Sequence, residues 1–422
     1  MANYQKIKGT QDFYDVEANK MRKFERIASG VAKTYGFKEI ITPIFEDTSV
    51  FVKNVGEDSD IVTKEMYTFN DKGDRSITLR PEGTAAVARM FIENKMYANP
   101  GVTKLFYYGP MFRYERPQKG RFREFNQFGV EAYGASSPNM DLEIIASAFD
   151  IFKKLGLKDV ILKINSIGDA ASRSAYSKAL KEYFASSINE MCDDCKRRIN
   201  TNPLRILDCK VDSSKPIFNN VPLIHDYLNE ESLNYYNDLI KGLDSLGIKY
   251  EEDYKLVRGL DYYTDTVFEF FMKDKEGNYS LALGGGGRYA NLIKDMCGVD
   301  VSGIGYAFGI ERLVSLMDED GLNEDCASLT DCVIIGLDKE SKIDAFKLAR
   351  LLRDSGKTVE MDYVNTSLKS QFKLADRCNA RFIVIIGEDE RKSGVYTIKD
   401  KVKGTQENIY KDDILEYMNK IN

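Results

Sequence analysis

The feature that most constrains this chain is a series of aromatic and β-branched runs: MYTFND (66–71), SITLRP (76–81), KLFYYGPMFRYE (104–115) and FREFNQFGVEAYG (122–134). Turn residues separate them, and no helix comes between each pair, which points to a largely antiparallel sheet. The sheet signal returns over 255–289. Helical spacing predicts a helix over 17–35, with Met21, Phe24, Ile27, Ala28, Val31 and Tyr35 on one face and Gly36 as the stop. Further helices are predicted over 82–97, over 140–155 with Leu142, Ile145, Ala146, Phe149 and Phe152 inward, and over 302–317. KEIITPIF (38–45) reads as a strand interrupted by Pro43, which belongs at an edge, bend or interface.

Residues 166–250 are polar and helix-leaning, and read as an inserted subdomain. Beyond an acidic stretch at 318–330, strand-like CVIIGL, TVEMDY, FIVIIG and VYTIKD alternate with helices at 341–355 and 367–379, the pattern of a small α/β domain. The fold class is therefore α+β: a domain over 1–325 with 166–250 inserted, then an α/β domain over 330–422. Of the 422 residues, 43% are hydrophobic and 30% charged, enough apolar material for large cores. The opening MANYQKIKGTQDFYD has no apolar run, and no stretch approaches ~20 apolar residues, so neither a signal peptide nor a membrane span is expected. Seven cysteines without a secretory signal read as cytosolic thiols. The net charge of −6 argues against wholesale coating of nucleic acid but leaves room for local basic surfaces.

Five short stretches concentrate chemistry. In Leu79-Arg-Pro-Glu-Gly-Thr84, Pro81 and Gly83 turn the chain at a strand–helix junction where Glu82 and Thr84 face the strand end; an acidic helix start explains Glu82 equally well. Over 109–131, Arg113, Arg116, Lys119, Arg121 and Arg123 crowd one hairpin, which suits bidentate phosphate binding, with Phe125 able to stack on a base. A solvated basic hairpin edge is the competing reading. Val257-Arg-Gly-Leu-Asp-Tyr-Tyr263 sets a cation beside two phenols, although core packing accounts for one tyrosine. Four glycines at 284–287 suggest close approach of a ligand or another backbone, with a flexible hairpin turn as the competing reading. The stretch 303–312 reads as a small-residue helix ending in Arg312.

Together these stretches closely resemble the histidyl-tRNA synthetases, of the class II aminoacyl-tRNA synthetases. Residues 36–45 resemble motif 1, FRYERPQKGRFREFNQ motif 2 and GIGYAFGIERL motif 3; RGLDYYTDTVFEF and ALGGGGRYANLI resemble stretches specific to the histidine enzyme, and KGTQDFYD resembles its opening. The likeness spans essentially the whole chain and implies a class II catalytic domain followed by an anticodon-binding domain. It implies a cytoplasmic homodimer that uses ATP with Mg2+ to activate L-histidine, and tRNA(His) as acceptor. By the same resemblance Arg113, Arg121, Phe125 and Arg312 would bind ATP. Glu82, Thr84 and Gln127 would receive the histidine ammonium group, with Gly83 also in the histidine site; Glu131 and Tyr263 would bracket the imidazole with Tyr262 beside them, and Arg258 with Arg113 would act on the α-phosphate. Arg116 and Gln118 would touch the tRNA acceptor end.

Ala290 departs from the family, which often has Asp there. Cys192, Cys195 and Cys209 invite a zinc reading, but three cysteines with the single histidine distant at 225 fall short of four ligands, so no metal is expected on protein side chains alone. The alternatives are a non-catalytic regulatory subunit of ATP phosphoribosyltransferase, which normally lacks the C-terminal domain and the specific arginine, and another class II synthetase, against which RGLDYY argues.

Overall fold

The computed structural model describes residues 4–56, 59–118, 120–273, 278–279, 282–327, 330–364 and 367–420. They divide into two compact units, residues 1–13 with 20–324 and residues 14–19 with 325–422.

The large unit is built on an eight-stranded sheet. Its strands in chain order are β1 (Lys38–Glu39), β2 (Thr103–Phe112), β3 (Glu124–Tyr133), β4 (Val160–Ser166), β5 (Tyr250–Glu252), β6 (Thr264–Met272), β7 (Gly284–Tyr289) and β8 (Gly303–Gly309). Across the sheet they run β1-β2-β3-β8-β7-β6-β4-β5. Every internal pair is antiparallel, and only the edge strands β1 and β5 run parallel to their neighbours. The predicted strands MYTFND and SITLRP form a separate three-stranded sheet with Phe45–Asp47. Pro43 lies between β1 and Phe45–Asp47, in the gap between two sheets where a missing N–H costs no ladder bond.

One face of the large sheet carries the main core. Phe106, Phe128, Ile304, Phe308, Phe268 and Phe270 meet the helices Val16–Thr34 and Pro138–Leu155. The first helix matches its predicted periodicity and ends before Gly36, whose φ of +80° closes it. The second helix buries Ile145 and Phe152 of its predicted face and packs Leu142 and Phe149 against the core; Ile144, Ala148 and Ile151 are buried as well, whereas Ala146 is only partly covered. Tyr236, Leu239 and Leu243 of the helix Glu230–Ser245 join the same core, which widens the buried stripe.

Residues 303–309 correct the sequence reading. They form strand β8 rather than the start of a helix, and the helix begins only at Ile310, so Arg312 stands in its first turn. Ile304, Tyr306 and Phe308 alternate into the core, while the glycines between them let neighbouring strands and side chains come close. A Cβ on Gly303 would strike the Tyr289 ring, and one on Gly305 would strike Glu131 and the Val130 carbonyl.

The glycine strand β7 is pinned at its end by Arg288. This fully buried guanidinium pairs with Asp141 and donates to Ser302 Oγ at 2.6 Å and the Ala135 carbonyl at 2.8 Å; Asp141 also accepts from Thr266 at 2.6 Å. A buried ion pair of this kind does little for net stability but tolerates no broken partner.

The small unit has five strands, β9 (Cys332–Gly336), β10 (Val359–Met361), β11 (Phe382–Ile386), β12 (Val395–Asp400) and β13 (Thr405–Tyr410), in the order β10-β9-β11-β12-β13. β9 is parallel to β10 and β11, and the last two strands add as an antiparallel edge. β13 lacks any sequence signal because its side chains are nearly all exposed.

Candidate active site

The chemistry-bearing stretches meet on the edges of one cavity of about 410 Å3 in the large unit. Glu82, Thr84, Arg113, Arg121, Phe125, Gln127, Arg258, Tyr262, Tyr263 and Arg312 all line it. Strands β2 and β3 and the loop joining them supply the hairpin residues, β7 and β8 form the floor through Gly284, Gly285 and Gly305, and the RGLDYY segment closes the other side.

At one end three guanidiniums gather. Arg113 donates from Nε to the Pro81 carbonyl at 2.8 Å and lies 5.4 Å from the centre of the Phe125 ring. Arg121 reaches Glu115 at 3.5 Å, and Arg113 approaches the same carboxylate at 4.0 Å. Arg312 is held by the carbonyls of Gly120 at 2.8 Å and Ala282 at 2.7 Å. Burial lowers the pKa of Arg312, and repulsion from Arg121 and Arg113 adds to the effect. A polyanion arriving there would relieve that repulsion. Arg123 turns away from this group to stack on Tyr114, its guanidinium 4.0 Å from the ring centre. Its amide donates to the Gly9 carbonyl at 2.7 Å, so the opening segment braces the base of the hairpin. Arg116 and Gln118 are exposed on the hairpin loop and do not line the cavity; Lys119 falls outside the described residues.

Glu82 is buried, and its two oxygens accept the amides of Thr84 at 2.7 Å and Ala85 at 2.8 Å, closing the first turn of the helix Thr84–Glu93. The helix-start reading and the cavity-facing reading of Glu82 thus both hold. Burial still pushes its carboxyl above the ordinary range, against those two hydrogen bonds and Arg113. Gly83 is not on the cavity surface; a side chain there would collide with the Tyr107 ring.

Arg258 pairs with Glu269 across the cavity wall and lies 5.9 Å from the Tyr263 ring centre. Tyr262 and Tyr263 pack ring to ring at 4.7 Å, and both are nearly buried. Glu131, expected to bracket an imidazole together with Tyr263, stands just behind the cavity residues Thr84 and Gly305. Its carboxyl does not line the cavity but lies behind Thr84, accepting from Thr84 Oγ1 at 2.7 Å and from the Tyr289 hydroxyl. Burial raises its pKa to about 8, with nearby Glu82 adding to the effect, so the carboxyl is mostly protonated at neutral pH. Ala290 donates its amide to Thr264 Oγ1 at 3.1 Å, and no acid stands at that position.

Several cavity residues escaped the sequence reading, among them Tyr107, Glu115, Glu269 and Glu311. Tyr107 lines the floor with its hydroxyl buried and unpaired; the Leu105-Tyr107-Gly109 alternation of β2 was the available signal. Glu269, the partner of Arg258, sat in a strand-like run with nothing to mark it. Among the described residues, four buried side-chain atoms on this cavity make no hydrogen bond: Tyr107 Oη, Arg121 Nε, Gln127 Oε1 and Arg258 Nε. A folded protein seldom leaves such atoms unpaired, and their convergence on one cavity marks a ligand site.

Away from the cavity, Cys192, Cys195 and Cys209 do come together, and Asp212 joins them. His225 packs its ring near Tyr236 and Tyr254 and has no place at either site.

Residues 9–313 match the histidyl-tRNA synthetase family, and residues 331–421 match the anticodon binding domain family. A histidine–tRNA ligase of Staphylococcus haemolyticus is 48% identical, covering 98% of this chain and 99% of its own. One from Anoxybacillus flavithermus is 46% identical, covering 99% of each. The crystal structure of apo histidyl-tRNA synthetase from Staphylococcus aureus superposes with a TM-score of 0.84 at 42% identity, covering 99% of this chain and 100% of that one. A cavity ringed by arginines, an antiparallel sheet beneath it and a full-length match on both domains agree: the chain belongs to the histidyl-tRNA synthetase family.

Proposed function

We propose that this chain joins L-histidine to ATP, giving histidyl-adenylate and pyrophosphate, and then transfers the histidyl group to the 3′ end of tRNA(His). The observation that carries this reading is the set of four unpaired buried atoms on one cavity. Their polarity fits the ligand: Arg121 and Arg258 offer donors to phosphate and carboxylate oxygens, while Gln127 Oε1 offers an acceptor to an ammonium group.

In this reading the histidine carboxylate oxygen attacks the α-phosphorus of ATP, the bond to the bridging oxygen breaks, and pyrophosphate leaves. Arg113 and Arg258 stabilise charge at the α-phosphate, Arg121 and Arg312 hold the β- and γ-phosphates, and Phe125 carries the adenine. Catalysis is then largely positioning and preorganised charge. The Glu269 pairing keeps the Arg258 charge in place before substrate arrives. Glu82, Thr84 and Gln127 receive the ammonium group, and Tyr263 and Tyr107 present hydroxyls toward the side chain. Glu131 acts through Thr84 and Tyr289, to which it is hydrogen-bonded. Mg2+ would enter on the phosphates and neutralise their charge, with the cavity carboxylates Glu269 and Glu311 as its protein neighbours.

For the second step Arg116 and Gln118 would meet the acceptor end of tRNA, a reading that their exposure supports. Assembly as a homodimer is supported by exposed apolar residues around Pro43, with Ile41 at 85% and Phe45 at 52% exposure. Among the described residues no helix is long and apolar enough to cross a membrane, which is compatible with a cytoplasmic enzyme. The anticodon-domain match and Arg258 at the cavity favour the synthetase over the regulatory-subunit reading. The test is ATP–pyrophosphate exchange with each of the twenty amino acids in turn: histidine alone should drive it. Exchange driven by another amino acid would overturn the substrate, and exchange with none would overturn the activity.

A further inference from the structure

The inserted segment brings four potential ligands to one point. Cys195, Cys209 and Asp212 are almost wholly buried, Cys192 is partly covered, and one ligand atom from each lies within 4.8 Å of all the others. We propose that Cys192, Cys195, Cys209 and Asp212 bind a structural zinc ion in tetrahedral geometry. The fourth ligand is a carboxylate, which is why counting cysteines and histidines in the sequence missed it.

The spacings fit the ion. With Zn–S near 2.3 Å, two thiolates on a tetrahedral zinc lie about 3.8 Å apart, and a thiolate and a carboxylate oxygen about 3.5 Å. Cys192 Sγ and Cys209 Sγ are 3.6 Å apart, and Cys209 Sγ lies 3.6 Å from Asp212 Oδ2. The surroundings also hold the ligand atoms in place. The Asp212 amide points at Cys209 Sγ at 3.3 Å. The Cys192 amide holds Asp212 Oδ2 at 2.9 Å, and Lys215 holds Oδ1 at 2.8 Å. Such outer partners offset the excess negative charge of three thiolates and a carboxylate around one divalent ion and fix the ligand orientations. A thiolate-rich tetrahedral set selects zinc over magnesium or calcium.

The site has a structural consequence. It ties the two ends of the segment 192–212, which carries Asn202 and Arg205. Asn202 donates to Asp261 at 2.8 Å, and Arg205 donates to the Arg258 carbonyl at 2.7 Å. The ion therefore supports from behind the stretch that presents Arg258 and the paired tyrosines.

The test uses the full-length chain purified without chelator. Elemental analysis should find one zinc per chain, retained in Cys297→Ser, which alters an exposed thiol outside the cluster, and lost in Cys195→Ser and Cys209→Ser. Because those variants risk misfolding, the second measurement is cobalt(II) added alone to metal-stripped wild type. It should give the intense thiolate-to-cobalt charge-transfer band and visible absorption of a tetrahedral site, with Asp212→Asn binding cobalt at least tenfold more weakly. Folded wild type that retains no zinc and gives no such spectrum would overturn the proposal. So would a Cys192–Cys209 disulfide in protein isolated without reductant, or a cobalt spectrum unchanged by loss of Cys195 and Cys209.

Discussion

Replacing Glu131 by Gln should remove a pH dependence of stability that the wild type carries. The carboxyl is fully buried behind Thr84, and its pKa rises from an ordinary 4.5 to about 8. In the unfolded chain it ionises near its ordinary value, whereas in the folded chain it keeps its proton until much higher pH. A raised folded-state pKa gives stability that is fully present below the unfolded value and is lost as pH climbs through the folded one. The window here runs from about pH 4.5 to 8. At about 1.4 kcal/mol per pH unit, the whole loss is on the order of 5 kcal/mol, and about 4 kcal/mol of it falls between pH 5 and 8. Glutamine keeps an acceptor for the Thr84 hydroxyl and has no proton to lose. Urea unfolding of wild type and Glu131→Gln, followed by far-ultraviolet circular dichroism, should find the two within about 1 kcal/mol at pH 5 and the variant several kcal/mol more stable, relative to wild type, at pH 8. An equal difference at both pH values would refute the burial argument.

Three further outcomes follow from the same geometry. Arg258→Ala should lower histidine-dependent ATP–pyrophosphate exchange by about 100- to 1000-fold, the usual cost of one preorganised charge at a reacting centre; near-normal exchange would remove Arg258 from the reaction. Tyr107→Phe should leave the melting temperature unchanged or slightly higher, because the lost hydroxyl is unpaired, while the KM for histidine rises; unaltered kinetics would separate that hydroxyl from the substrate. Gly286→Ala should destabilise the large unit by about 3 kcal/mol, since its Cβ would press on the Gly305 carbonyl and lie 2.8 Å from Tyr306 Cα, and a thermal transition shifted by less than a degree would contradict that packing.

The strands of the large sheet were legible because aromatic and β-branched runs bounded by turns leave few other readings. β8 was not, because glycine and alanine at 303, 305, 307 and 309 hide the Ile304-Tyr306-Phe308 alternation behind a small-residue pattern that also suits close helix packing. Those glycines answer to neighbours distant in sequence, Tyr289 and Glu131, and local pattern carries no trace of either. The same limit governed the site. Arg113, Arg121, Arg258 and Arg312 stood out by type and clustering, and the cavity gathers all four. Tyr107, Glu269 and Asp212 matter through partners on other elements or through the burial of their polar atoms, neither of which spacing reveals. Glu131 was marked by the resemblance, but its burial behind Thr84 emerges only from packing.

The most direct test of the account is a crystal structure of the chain with a non-hydrolysable histidyl-adenylate analogue. The account predicts the phosphate-mimicking group within hydrogen-bond distance of Arg113 and Arg258, the ammonium group on Gln127 Oε1, the adenine against Phe125, and the four unpaired atoms of the cavity largely satisfied. An analogue bound elsewhere, or bound here with Gln127 Oε1 and Arg258 Nε still without partners, would contradict it.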